Sequence, residues 1–146
     1  MLIRIFLALL TIALISCTRK ETVPDSQTST TTTETRVQVS RVDLGRELAS
    51  DRRVISWSNT FAPKDTVYAA VVLTAPVPAA QVTARWTSSD GQIVSESTQM
   101  VTPSETEAVT QFQVVKPEGL APGTYKLEIL VDGQVVSTKD FAVAAM

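Results

Sequence analysis

The chain has 146 residues, 44% of them hydrophobic and 19% charged, with 13 basic and 15 acidic side chains for a formal net charge of −2. Those proportions are ordinary for a globular protein, and there is no clustered basic face of the kind that nucleic acid requires. It has no histidine and one cysteine, which excludes Ser-His-Asp and Cys-His catalysis in their usual forms, zinc sites built on imidazole or thiolate, and any internal disulfide.

Residues 1–16 read as an export signal. Arg4 supplies a short positive start, and Ile5 to Ile15 form an apolar run interrupted only by Thr11. This run is shorter than the roughly 20 residues that span a bilayer. It ends at Leu14-Ile15-Ser16-Cys17, where a small residue precedes the lone cysteine. That stretch resembles a bacterial lipobox. The resemblance implies cleavage between Ser16 and Cys17, a diacylglyceryl group on the Cys17 sulfur and an amide-linked acyl chain on its new amine. A thiolate is the side chain best suited to accept such a lipid, and two membrane signals anchor a protein where one holds it marginally. The competing assignment is a short N-terminal membrane helix with an incidental cysteine. Thr18 stands where an aspartate would, in enteric bacteria, favour retention at the inner membrane. The resemblance therefore implies the outer membrane of a bacterial envelope, with the domain facing the periplasm.

Removing residues 1–16 leaves 130, enough for one domain and a tail, and takes the net charge to about −3 because Arg4 is lost. Residues 17–35 comprise Cys17 and a linker in which 10 of the 18 residues from Thr18 to Thr35 are Ser or Thr. Val23 is its only aliphatic side chain larger than alanine. Such a segment cannot bury enough apolar surface to offset its ordering entropy, so disorder is expected.

From residue 36 to residue 146 the pattern changes to short β-rich runs punctuated by Pro, Gly and Asp. Val37, Val39 and Val42 start a first strand that Gly45 ends, and the polar, mixed-charge piece 46–59 reads as a solvated loop. Thr66 to Thr74 is a strong strand, with Val67, Ala69, Val71 and Leu73 on one face and Tyr68, Ala70 and Val72 on the other. Pro76 and Pro78 stop it. Gln81 to Ser88 alternates with Val82, Ala84 and Trp86 inward, and Asp90-Gly91 then reads as a primed hairpin turn leading to an edge strand over Gln92 to Met100. Thr106 to Val115 follows, with Ala108, Thr110, Phe112 and Val114 on one side. Tyr125, Leu127, Ile129 and Val131 form the inward row of the next strand. A second turn at Asp132-Gly133 leads to Gln134 to Ala144, closed by Phe141 and Val143. About seven strands joined by hairpins predict an all-β, two-sheet antiparallel β-sandwich, following the N-terminal signal helix and disordered linker.

Leu120-Ala121-Pro122-Gly123-Thr124-Tyr125 resembles the tyrosine corner of immunoglobulin-like and fibronectin type III sandwiches, and Trp86 falls where the core tryptophan of immunoglobulin domains would. Leu127 and Val71 occupy the positions that antibody domains give to disulfide-bonded cysteines, so aliphatic packing replaces that bond. The stretches Gly123 to Gln134 and Phe61 to Tyr68 are similar to ones in bacterial envelope lipoproteins of unknown function.

Catalysis would have to rest on carboxylates alone. Glu105 and Glu107 share a strand face but read as a solvated edge, and Asp90 and Asp132 are explained by their turns, without the ligand count that calcium needs. No catalytic residue, metal site or cofactor is therefore expected. Binding needs exposed aromatic anchors. Trp57 is the first candidate, since it lies outside the clear core alternation, and Tyr68 is the second. In the alternative, Ile55, Trp57 and Phe61 pack together over an open end of the sandwich. The Ser- and Thr-rich edge at Gln92 to Met100 is a further candidate, by strand addition. The expected function is a non-catalytic, lipid-anchored module that contacts an envelope protein. An adhesion module recognising glycans or a small ligand is the alternative. Replacing Cys17 with alanine should abolish partition into a detergent phase; a C17A chain that partitions like wild type would exclude lipidation there.

Overall fold

A computed structural model describes residues 37–74, 79–102 and 107–145. Ser16, Cys17, the linker, Pro76, Pro78 and Glu105 lie outside those residues. The described residues form eight strands and no helix: β1 (Gln38–Gly45), β2 (Thr60–Phe61), β3 (Val67–Thr74), β4 (Ala80–Ser88), β5 (Ile93–Val101), β6 (Glu107–Val114), β7 (Gly123–Val131) and β8 (Gln134–Val143). They assemble into a three-stranded sheet, β1-β3-β6, and a five-stranded sheet, β2-β8-β7-β4-β5. The result is an immunoglobulin-like β-sandwich. Constant-type immunoglobulin domains set four strands against three. Here β5 stays beside β4 and leaves β6 as the edge of the smaller sheet.

All seven expected runs are strands; apolar rows at period two mark β3, β4, β6 and β7, while the polar β5 is held by its antiparallel pairing with β4. Val82, Ala84 and Trp86 on β4 are fully buried, as are Val67, Ala69, Val71 and Leu73 on β3. Leu127 is fully buried as well, so the expected disulfide positions hold aliphatic side chains within one core. Phe141 sits among three other rings. Tyr125 stacks on it with centroids 5.3 Å apart, while Phe61 and Trp86 meet it edge to face at 5.7 and 5.8 Å. The Tyr125 hydroxyl donates to the Ala121 carbonyl at 2.7 Å, which is the tyrosine-corner bond.

Four features differ from the sequence expectations. The eighth strand, β2, is only two residues long, and it pairs parallel to β8 at Ala142 and Val143. So short a run carries no periodicity to read. Ala70 and Val72, on the face of β3 opposite its core row, are buried as well, because β3 is the centre of its sheet, flanked by β1 and β6. Leu130 is buried on the outward row of β7, as the central strands of a sheet allow. The two Asp-Gly turns are also not alike. Asp132 and Gly133 both have positive φ, 49° and 83°, as a two-residue primed turn requires. At the other turn only Gly91 does, with φ 84°. There the Asp90 carboxylate accepts from the Ser88 hydroxyl and from the Gln92 N–H, which shapes a longer turn.

Truncation of Trp86, the largest fully buried side chain, should cost about 3–5 kcal/mol. Urea unfolding of Trp86→Ala measures this, and a variant as stable as wild type would remove Trp86 from the core.

Candidate functional site

The piece 46–59 is built rather than loose. After Gly45 the chain doubles back on itself. The Arg46 N–H donates to the Ser56 carbonyl at 3.0 Å, Ile55 N–H to Glu47 at 3.2 Å and Ala49 N–H to Arg53 at 2.8 Å. Arg52 takes a left-handed φ of 67° at the tip, and Val54 is buried underneath. Gly45 makes the crossing possible: a Cβ there would lie 2.2 Å from the Ser56 carbonyl oxygen and 2.4 Å from a Val54 methyl. This glycine pairs with Tyr68 on one side and bridges to Trp57 on the other.

Arg46 pins the base of this excursion. Its guanidinium lies 5.3 Å from the centre of the Phe61 ring, donates to the Thr60 carbonyl at 2.5 Å and bonds Asp65 Oδ2 at 2.9 Å. The same Asp65 oxygen accepts the Ala62 N–H at 2.8 Å. That backbone bond, with Arg46 second, holds the Asp65 carboxyl below its usual range. β2 is thereby fixed between the end of β1 and the end of β8.

Trp57 is 68% exposed, yet its position is set: Nε1 donates to the Val54 carbonyl at 2.6 Å. It borders an open groove of about 390 Å³ between β1 and β8, with Val42, Leu44, Asn59, Lys139 and Asp140 also on its walls. Ile55 is 62% exposed and Phe61 is 1% exposed. Of the row Ile55, Trp57 and Phe61, only Phe61 therefore packs into the sandwich, carried in by its pairing with β8. Tyr68 is half-buried and lines a separate shallow depression with Ile55, Arg46, Gln111 and Gln113. Trp57 and Tyr68 share Gly45 as a ladder neighbour, but not a depression.

Several carboxylates are engaged in structural contacts. Glu107 holds Arg53 at 2.7 Å, and Glu96 holds Arg85 at 2.6 Å across β4 and β5. Asp132 Oδ1 accepts the Gln81 N–H at 3.0 Å, which ties the β7–β8 turn to the start of β4. Among the described residues, no three His, Cys, Asp or Glu side chains gather as metal ligands would. The β5 edge also has a function that the sequence did not signal. Gln99 donates to the Gln111 carbonyl and accepts from the Thr110 hydroxyl, both at 2.8 Å, joining the two sheets along the β5–β6 seam.

Substituting Gly45 with alanine should displace the excursion and cost about 1–3 kcal/mol, since the contact is with backbone. In the nitrogen–proton spectrum of the indoles, the Trp57 resonance should move towards its unfolded position while that of Trp86 stays. An unchanged Trp57 resonance would mean that Gly45 does not hold this ring.

No protein-family model matches the sequence, and no curated protein matches it either. Solved structures do. An immunoglobulin-like protein from Pseudomonas aeruginosa superposes with a TM-score of 0.51 at 15% identity, over 75% of this chain and 98% of that one. An alkylpurine DNA glycosylase from Pseudomonas fluorescens, bound to DNA containing an abasic site analogue, superposes with a TM-score of 0.54 at 13% identity. That match covers 76% of this chain but 31% of the glycosylase. At these identities the likeness is one of fold: an immunoglobulin-like sandwich.

Proposed function

We propose that the chain is a non-catalytic interaction module, held through a lipid on Cys17 at the outer membrane of a bacterial envelope, and that it meets a protein partner in the periplasm through Trp57. The observation that carries this reading is an indole that is 68% exposed and yet hydrogen-bonded in place over a groove. Large aromatic side chains placed in advance lose little entropy on binding and dominate interface energies. The absence of histidine from the sequence, and the pairing of Glu96 and Glu107 with arginines, support a role without catalysis.

A photo-reactive phenylalanine analogue placed at position 57 in intact cells should yield a discrete protein adduct. The same group at Ile93, an apolar residue of similar exposure on another part of the surface, should not. Equal labelling from both positions, or none from position 57, would overturn the assignment. A glycan retained in place of a protein would favour the adhesion alternative.

A further inference from the structure

We propose that the groove beside Trp57 takes an extended peptide segment of the partner as an added strand on the free edge of β8. This inference rests on the proposed function and specifies how the partner enters. Ala142 and Ala144 donate their N–H groups to the Asn59 and Phe61 carbonyls at 2.8 and 2.9 Å. In this part of β8 the even-numbered residues therefore turn their backbone polar groups towards β2, and the odd-numbered ones turn theirs towards β7. β2 and the residue before it meet this edge only at Ala142 and Ala144. The next groups along that edge, the N–H and C=O of Asp140 and Thr138, find no backbone partner among the described residues.

That stretch of edge opens into the groove. Lys139 and Asp140 form one wall, and Val42 and Leu44 of β1 form the other with the Trp57 indole. The groove is there because the inward row of β8, buried at Phe141 and Val143, continues as an exposed Lys139. Its end is closed where the chain crosses between sheets: the Ser58 N–H bonds the Leu44 carbonyl at 3.0 Å, and the Asn59 carbonyl bonds β8. A strand entering here extends the line that β2 begins. Ladder bonds supply affinity in such additions, and a pocket for alternate side chains supplies specificity. This edge has both, with Trp57 beside one same-face side chain of the guest. Beside the β5 edge the neighbouring ring, Phe112, is buried, and Gln99 is already committed across the seam. The occupant is an extended segment with an apolar side chain set against Trp57, and without proline where it bonds Thr138 and Asp140.

The test uses the full-length lipidated chain in nanodiscs, panned against phage-displayed random peptides as long as β8. Selected peptides should lose binding when N-methylated at alternate residues and keep it when N-methylated at the residues between. Trp57→Ala should weaken them about tenfold or more, equivalent to roughly 1.4 kcal/mol. Thr138→Pro removes an edge donor and spares the β7 ladder, and should do the same. The N-methyl series on the wild-type chain decides the matter if Thr138→Pro does not fold. Peptides that tolerate every N-methylation and both substitutions would overturn strand addition, and so would a failure to select any. If position 57 still yields a protein adduct in cells, the interaction reading stands and only strand addition falls. If it yields none, both fall.

Discussion

The packing of Phe141 against Phe61, Trp86 and Tyr125 is the contact on which the rest of the sandwich depends. The four rings come from β8, β2, β4 and β7, all strands of the larger sheet, and the facing sheet covers them mainly with aliphatic side chains. Each edge-to-face or stacked pair adds about 0.5–1.5 kcal/mol beyond its buried area. Trp86 shows which effect wins at such a centre. Its Nε1 is buried without a hydrogen-bond partner among the described residues, at a cost of about 1–3 kcal/mol. Burying an indole of 150–250 Å² at about 25 cal/mol per Å² returns roughly 4–6 kcal/mol. The unpaired donor is tolerated because the ring around it is large.

The two seams between the sheets are finished differently. On the β5–β6 side, Gln99 reaches across to Thr110 and Gln111 and supplies polar partners that an edge would otherwise leave unmet. On the β1–β8 side, the chain itself crosses between Trp57 and Phe61, closing one end and leaving the rest as a groove. Arg46 holds that crossing through Asp65, Thr60 and the Phe61 ring. The candidate site is thus a by-product of how a sandwich strand changes sheets.

Most of the fold was legible because burial acts on side chains at fixed periods. The alternation in β4 and β7, the tyrosine corner and the aliphatic replacement of the disulfide all follow from residues whose neighbours in sequence predict their facing. Position in a sheet is not encoded this way. Whether Ala70 and Val72 face water depends on β3 being the middle strand, which rests on contacts with residues far away in the chain. The stretch 46–59 misled because its stabilising groups are backbone amides and carbonyls, which every residue carries. The one local signal was Gly45, and it reads equally well as a strand terminator. Trp57 stood out as an aromatic beyond the core rows, but the groove beside it comes from Lys139, more than eighty residues away.

The direction of β1 has a consequence for how the domain presents itself. Its eight residues run from the side where the chain enters to the turn that carries the indole, a distance of about 25 Å at the rise of an extended strand. Residue 37 and the indole therefore stand at opposite ends of β1, so that the aromatic edge of the groove and the start of the described chain do not crowd each other.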